Sequence, residues 1–301
     1  MKPTSRYTLY VLISAFSGAA GVVLTEVLLR GYSVPVLHIT IVANIAGGVF
    51  LLLSASAQHS PIWQRWLLRD WLRLFVASLA TFAVGFLLLY KAVDLIGSSK
   101  TTLFGRLEVI FIVALAVVFL GEKWSPRHWV AGALALTGAA LINFDPSAYE
   151  LRVGRGELLS LGSVLSFSVG IILLKSLVDR LDGIIVTGFG LLFGAVLLIP
   201  VALYEGLANA IGTAWVLALL LVRGLFLGIS WVTYNVAMKH LGASRCSVLF
   251  LSIVFFTVVL QLLVNTISPQ LELRVPDNLA MSALGGVVIG GAVFVIHSED
   301  L

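Results

Sequence analysis

The 301-residue sequence contains too few charged residues to cover a water-exposed surface. Charged residues make up 11% of the chain and hydrophobic residues 59%, whereas soluble domains carry about 25% and 45–50% respectively. This composition therefore predicts an integral membrane protein. The single cysteine excludes a disulfide framework and a cysteine-ligated metal cluster.

Several kinds of catalytic and binding motif are also missing from the sequence. The five histidines form no HxxxH pair, and we find no hydrolase elbow, Walker loop or dinucleotide fingerprint. We therefore predict no enzyme activity, no cofactor and no metal site. The net charge of +4 comes from basic residues in short loops, where membrane orientation explains them, so nucleic-acid binding is not expected.

Long apolar runs dominate what remains. A helix that spans a bilayer needs about 20 mostly apolar residues, and ten such runs are present. They cover residues 7–29, 34–57, 71–92, 98–120, 127–144, 156–178, 183–204, 214–238, 244–266 and 278–297. The sequence thus predicts an all-α, multi-pass membrane protein with ten transmembrane helices. A cytoplasmic N-terminus and C-terminus place ten lysines and arginines inside and six outside, so the positive-inside rule favours this orientation in a plasma (cell inner) membrane.

The two halves of the sequence resemble each other. Residues 97–103 (GSSKTTL) match residues 242–248 (GASRCSV), 145 positions later, and residues 17–21 (SGAAG) match residues 166–170 (SFSVG), 149 positions later. We therefore divide the chain into repeats of residues 1–146 and 147–301. Each repeat has five predicted spans, and this odd number inserts the second repeat upside down. Inverted repeats of this kind are typical of transporters that work by alternating access.

In several short stretches the chain resembles the drug/metabolite transporter superfamily, EamA type. The resemblance lies in Leu107-Glu108-Val109, in Phe119-Leu120-Gly121-Glu122, in the Gly132…Gly138 helix, in Leu241-Gly242-Ala243-Ser244 and in Lys175. The chain differs from the family where Val109 replaces a proline and where Val264-Asn265-Thr266 replaces Leu-Gly-Glu. The resemblance implies ten helices, a central cavity between two bundles, and export or exchange of small metabolites.

Four ionisable residues are predicted to lie inside spans: Glu26, Arg106, Glu108 and Arg223. An ionised side chain near the bilayer centre costs about 2.5–3.5 kcal/mol on insertion scales, so these two acids and two bases are expected to pair. Three interpretations remain open: a static ion-pair network, a gate at the outer side, and direct contact with substrate. Glu108 is also a candidate site for proton coupling.

Aromatic and polar side chains on two of the predicted helices suggest a transport path. Phe86 is equivalent to Trp231 at the offset of 145, and each shares a helix face with further polar or aromatic residues. The face of the first helix also carries Tyr90, and that of the second carries Tyr234 and Asn235. We hypothesise that these faces line the path and that Phe86 closes its outer end and Trp231 its inner end; ordinary helix packing is the alternative. Asn44 and Gln261 are further polar residues within spans, with interhelical hydrogen bonding as the alternative to substrate contact.

These observations predict a secondary transporter for a small polar or amphipathic metabolite. An amino acid is the leading candidate, because arginine binds carboxylates and glutamate binds ammonium groups. A carrier for organic cations or drug-like compounds is an alternative within the class, and a passive channel is an alternative outside it. The expected partners are the substrate, the lipid bilayer and, as a coupling ion, the proton, with the chain acting as a monomer or a homodimer.

Overall fold

The computed structural model describes residues 3–57, 66–105, 107–121, 126–142, 154–205, 213–273, 275 and 278–297. Arg106 and Glu122, both singled out in the sequence, lie outside these ranges. The described residues form helices and no β-strand, as expected where lipid offers no hydrogen bonds to the backbone. The helices are α1 (Pro3–Tyr32), α2 (Val36–Ala57), α3 (Leu68–Ser78), α4 (Phe86–Gly105), α5 (Glu108–Leu115), α6 (Pro126–Ile142), α7 (Arg155–Val178), α8 (Gly183–Glu205), α9 (Ala214–Leu241), α10 (Ala243–Phe250), α11 (Ile253–Ile267) and α12 (Leu279–His297).

Seven helical segments of the described chain are long and apolar enough to cross a membrane. Two of them combine elements: α3 continues through a π-helical segment (Leu79–Gly85) into α4, and α10 with α11 forms the segment Ala243–Ile267. Shorter apolar stretches lie within α6 (Trp129–Gly138) and α12 (Ala283–Ala292). The predicted all-α, multi-pass membrane class is therefore confirmed.

Two glycines interrupt the helical rods at matching places. Gly97 has φ 78° and ψ 166° within α4, and Gly242 has φ 85° and ψ 162° between α9 and α10. This region of backbone space is essentially accessible to glycine alone. Each glycine therefore ends one helix and lets a new one start in a different direction, at Ser98 in the first case and at Ala243 in the second.

The helices pack as long neighbouring pairs. The most extensive contacts join α1 with α9, α2 with α8, α4 with α7, and α6 with α12. Small residues allow the closest approaches: a Cβ atom added to Gly47 on α2 would lie 2.7 Å from the carbonyl oxygen of Gly224 on α9. Such contacts are how helices associate in lipid, where no hydrophobic driving force acts between them.

The π-helical segment Leu79–Gly85 accepts hydrogen bonds from side chains of other helices. Asn44 Nδ2 donates to the carbonyl oxygen of Phe82 at 2.7 Å, and Ser166 Oγ donates to that of Ala80, also at 2.7 Å. Carbonyls freed by a π-helical turn need such partners at membrane depth. Asn44 thus forms an interhelical hydrogen bond. From the sequence, this role was expected as the alternative to substrate contact.

Candidate functional site

A cavity lies within the helix bundle. The space that the centres of water-sized molecules can occupy in it is about 100 Å³. A single water needs roughly 10–15 Å³ on this measure, so the space holds several waters or a small solute. Its walls are mostly apolar and aromatic, with two charged residues, Glu108 and Arg223, and several hydroxyl groups. A mostly apolar pocket with a few polar groups is the usual form of a small-molecule site.

The residues that line the cavity recur at the two offsets found in the sequence. On α1 they are Ser14, Gly18 and Val22, and on α7 they are Ser163, Phe167 and Ile171, each 149 positions later. On α4 and α5 they are Phe86, Leu89, Thr102, Gly105 and Glu108, and on α9 to α11 they are Trp231, Tyr234, Ser247, Phe250 and Ile253, each 145 positions later. Equivalent positions of the two halves therefore face the same space, although most pairs differ in residue type.

Arg223 enters the cavity wall from α9 with only 2% of its surface exposed. Its Nε donates to Thr25 Oγ1 at 2.8 Å, and its Nη2 donates to the Tyr90 hydroxyl. The guanidinium carbon also lies 5.2 Å from the centre of the Tyr90 ring. No carboxylate of the described residues forms an ion pair with this arginine.

Glu26 is the centre of a separate polar cluster that ties three helices together. Its Oε1 lies 3.2 Å from Arg30 Nε on the same helix. Its Oε2 accepts hydrogen bonds from the Ser98 hydroxyl, from the Ser98 amide at 3.4 Å and from Gln261 Nε2 at 3.0 Å. The carboxylate thus sits at the start of the helix that follows Gly97, where the helix dipole favours a negative charge.

The four deep charges were expected to pair among themselves. Glu26 is fully buried, and its ion pair among the described residues is with Arg30, one turn away and outside that set of four. It does not line the cavity, whereas Glu108 and Arg223 do. Glu108 is half-buried at the start of α5, directly after Arg106 and Leu107, and Arg106 itself lies outside the described residues.

The aromatic residues also differ from the sequence hypothesis. Phe86 and Trp231 were expected at opposite ends of the path, but their rings lie 6.2 Å apart in an edge-to-face contact. Phe167 joins them, 5.2 Å from Phe86 and 6.3 Å from Trp231 between ring centres. Both equivalent residues sit near the middle of their long helical segments, Leu68–Ser98 and Ala214–Leu241. They form one aromatic wall, which we call the Phe86–Phe167–Trp231 cluster.

Of the remaining predicted residues, one lines the cavity and the others lie outside its lining. Tyr234 lines the cavity, while Tyr90 stands behind it and holds Arg223. Asn235 is buried and donates from Nδ2 to Thr187 Oγ1 at 2.7 Å, so it links α9 to α8. Asn44 has the similar role described above.

A second ion pair repeats the Glu26–Arg30 pair with its charges exchanged. Lys175 on α7 pairs with Asp179, the residue directly after the end of that helix. They lie 149 positions after Glu26 and Arg30 respectively. Nearby, Arg180 Nη2 lies 2.5 Å from Oδ1 of the buried Asp70 at the start of α3. The ends of α1 and α7 are thus chemically unlike although their positions correspond.

The sequence interpretation missed several residues of the site. Thr25, Ser98 and Phe167 were not singled out, because a single hydroxyl or phenylalanine within an apolar run carries little signal. Two of them lie in the matched stretches of the repeat, Ser98 in residues 97–103 and Phe167 in residues 166–170.

A multi-pass helical membrane protein with a partly polar internal cavity has the architecture of a membrane transporter. The model of the EamA-like transporter family matches residues 5–144 and 154–272. The chain therefore belongs to this family and so to the drug/metabolite transporter superfamily.

Comparison with solved structures shows the same fold elsewhere. One crystal structure superposes with a TM-score of 0.72 at 18% sequence identity, covering 97% of this chain and 96% of the other. At this identity the likeness concerns the fold alone. Among curated proteins no sequence match was found.

Proposed function

We propose that this chain is a secondary transporter that moves a small polar or amphipathic metabolite across the plasma membrane by alternating access. The observation that most supports this proposal is the cavity, which combines an apolar, aromatic wall with Glu108 and Arg223. Charged side chains are rare at membrane depth and usually mark a substrate or ion pathway. A site with both charges and an aromatic wall suits a solute that has polar ends and an apolar body.

The cavity lining supports ten spans arranged as two inverted five-helix repeats. The seven long segments leave three further predicted spans, at residues 98–120, 127–144 and 278–297, where the described helices are shorter or interrupted. With all ten spans present, equivalent residues of the two repeats meet where the repeats face each other. The offsets of 145 and 149 between residues of the cavity lining support this arrangement. Two similar packings of one unit can then exchange roles at the two faces of the membrane.

An amino acid, exported or exchanged, is the leading substrate in this proposal. Its carboxylate suits the guanidinium of Arg223, and its ammonium group suits the carboxylate of Glu108. A carrier for organic cations is the second candidate, because the Phe86–Phe167–Trp231 cluster together with Glu108 would attract a cation through its ring faces and its charge. The two candidates differ in whether the solute needs a carboxylate.

The proposal also includes the coupling and the setting of the protein. Glu108 is the candidate for proton coupling, since it is the carboxyl group of the cavity lining. The lysine and arginine distribution favours cytoplasmic termini. The functional unit is a monomer or a homodimer, and flux measured at different protein-to-lipid ratios would separate these two.

Counterflow in proteoliposomes tests the transporter directly. Vesicles are loaded with a single unlabelled amino acid at high concentration and diluted into a trace of the same labelled amino acid, and a panel of amino acids and quaternary ammonium compounds is examined in this way. A carrier accumulates label transiently above the external level, because each return step exchanges one solute for another. A passive channel only equilibrates the label, and that result for every solute taken up would overturn the proposal.

A further inference from the structure

Arg223 is the one buried arginine of the described chain whose contacts are all neutral. Its two hydrogen-bond partners are Thr25 and Tyr90, and no described carboxylate pairs with it. A buried charge without a counter-charge costs several kcal/mol even after the protein relaxes. The fold therefore maintains an unfavourable positive charge at the wall of its cavity.

The two neutral partners hold the guanidinium in a fixed position. Thr25 Oγ1 donates its own proton to the Gly21 carbonyl oxygen at 2.9 Å, so its lone pairs remain available to Arg223 Nε. Tyr90 is 1% exposed and supports the other side of the group. Gly21 leaves room beside it, because a Cβ atom there would lie 3.1 Å from Nη1. The arginine is thus positioned before any solute arrives.

The guanidinium still has donors to offer. An arginine carries five N–H donors in a planar fork, and the described residues accept from Nε and Nη2 only. A planar fork with unused donors matches the two oxygens of a carboxylate better than it matches any cation or neutral group. The aromatic wall formed by Phe86 and Trp231 faces the same cavity and suits an apolar body attached to that carboxylate.

We infer that Arg223, positioned by Thr25 and Tyr90, is the receptor for the carboxylate of the transported solute. This inference rests on the proposed function and makes it narrower: the solute carries a carboxylate next to an apolar group, and compounds that bear only a positive charge are repelled. The carboxylate of the solute then supplies the ion pair that no described residue forms with Arg223. Glu108 contacts an amino group where the solute has one.

Matched solutes test this inference by binding, without any need for transport. The purified full chain is heated with L-leucine or L-phenylalanine, with the corresponding amides, and with 4-methylpentanoate or 3-phenylpropanoate, and the rise in melting temperature gives an apparent affinity. The solutes form two sets, one with the leucine side chain and one with the phenylalanine side chain. In each set we expect at least one carboxylate-bearing solute to stabilise the protein. The amino acid amide of that set should bind about tenfold to a hundredfold more weakly, the range given by a charge-assisted hydrogen bond. Equal stabilisation by the carboxylates and the amides, or no stabilisation by any carboxylate, overturns the inference. Sodium chloride at the same concentration controls for a general effect of anions, and a rise in melting temperature equal to that given by the carboxylates also overturns the inference.

Variants of the arginine supply a readout that a purely structural role would not give. Arg223→Met removes a buried charge with which no described carboxylate pairs. We therefore expect the empty variant to melt at or above the wild-type temperature while losing the response to carboxylates. Arg223→Lys keeps the charge without the fork and should retain only part of the response. The matched control is Arg6→Gln, which removes an exposed arginine that contacts Tyr10 through the same kind of hydrogen bond and ring contact. A full carboxylate response in Arg223→Met contradicts the inference.

The two proposals fail separately. Counterflow of organic cations or amides without carboxylate preference would leave the transporter in place and remove the role of Arg223. Binding of carboxylates that depends on Arg223, in vesicles that show no counterflow, would support the receptor and overturn the carrier.

Discussion

Gly97 and Gly242 stand 145 residues apart and adopt nearly the same left-handed backbone conformation. Their φ angles are 78° and 85°, and the residue after each begins a new helix that leads to the cavity wall. Thr102 and Ser247, five residues beyond each glycine, both line that wall. The direction of the helices that carry the site thus depends on two residues without side chains.

Replacing either glycine by alanine should destabilise the protein. A Cβ atom in this region of backbone space costs of order 1–3 kcal/mol, so we expect Gly97→Ala and Gly242→Ala to lower the melting temperature and the yield of folded protein. Gly290→Ala is the control, because its added Cβ would meet nothing within 4 Å. Wild-type melting temperatures in both variants would show that the backbone relaxes without strain.

Inversion of the two repeats predicts labelling from opposite sides. Cys246 is the only cysteine and is buried, so Cys246→Ala gives a cysteine-free background. In that background, Ser33→Cys follows α1 and Arg180→Cys follows α7, both at exposed positions. We expect an impermeant thiol reagent, applied to intact cells, to modify the first and not the second. Modification of both from one side contradicts the inverted topology.

Glu26→Gln should weaken folding more than it affects substrate affinity. The carboxylate holds Arg30, Ser98 and Gln261, and hydrogen bonds to a charged group contribute about 1.5–3 kcal/mol each, so the melting temperature should fall. Because Glu26 does not line the cavity, the KM of transport should stay within about twofold of wild type. Asp179→Asn is the control, since it breaks the corresponding pair on α7 at a 42% exposed side chain, where ion pairs contribute about 0–1 kcal/mol.

Trp231→Ala should change which solutes are accepted. The indole contacts both Phe86 and Phe167 in the cavity wall, so its removal should raise the KM for the best substrate about tenfold or more and favour bulkier solutes. Trp129→Ala removes an indole that is 65% exposed on α6 and serves as the control. Unaltered affinity and turnover in Trp231→Ala would assign Trp231 to packing.

Glu108→Gln tests proton coupling. The change keeps the size of the side chain and removes its ability to ionise, so we expect wild-type uptake to fall when an ionophore collapses the pH gradient and the variant to be insensitive to it. A variant that keeps the same response to the ionophore would place the coupling elsewhere.

The sequence predicted the helices better than it predicted the contacts between them. Membrane insertion depends on the local apolar length, so runs such as 34–57 and 156–178 agree closely with α2 and α7. Contacts depend on how helices are turned towards one another, which a single sequence does not reveal. Glu26 was therefore grouped with the other three deep charges, although Arg30 lies one turn away and the start of the helix at Ser98 provides further donors.

The position of the aromatic cluster was missed for a related reason. Phe86 and Trp231 were recognised as equivalent, and inversion was expected to send them to opposite faces of the membrane. In an inverted repeat, equivalent residues would separate in depth only if they lay far from the middle of their helices, and the ring centres of these two lie 6.2 Å apart. Residue depth, rather than the repeat itself, was the quantity that the sequence left undetermined.

The exchanged charges of Glu26–Arg30 and Lys175–Asp179 bear on the energetics of a transport cycle. If the two halves were chemically identical, a twofold rotation would relate the states open to either face, and their free energies would be equal. Here one pair reaches across to Ser98 and Gln261, while its counterpart on α7 is partly exposed. The resting protein should therefore favour one face, so half-saturating concentrations measured from the two sides should differ, while the solute gradient alone still sets the direction of net flow.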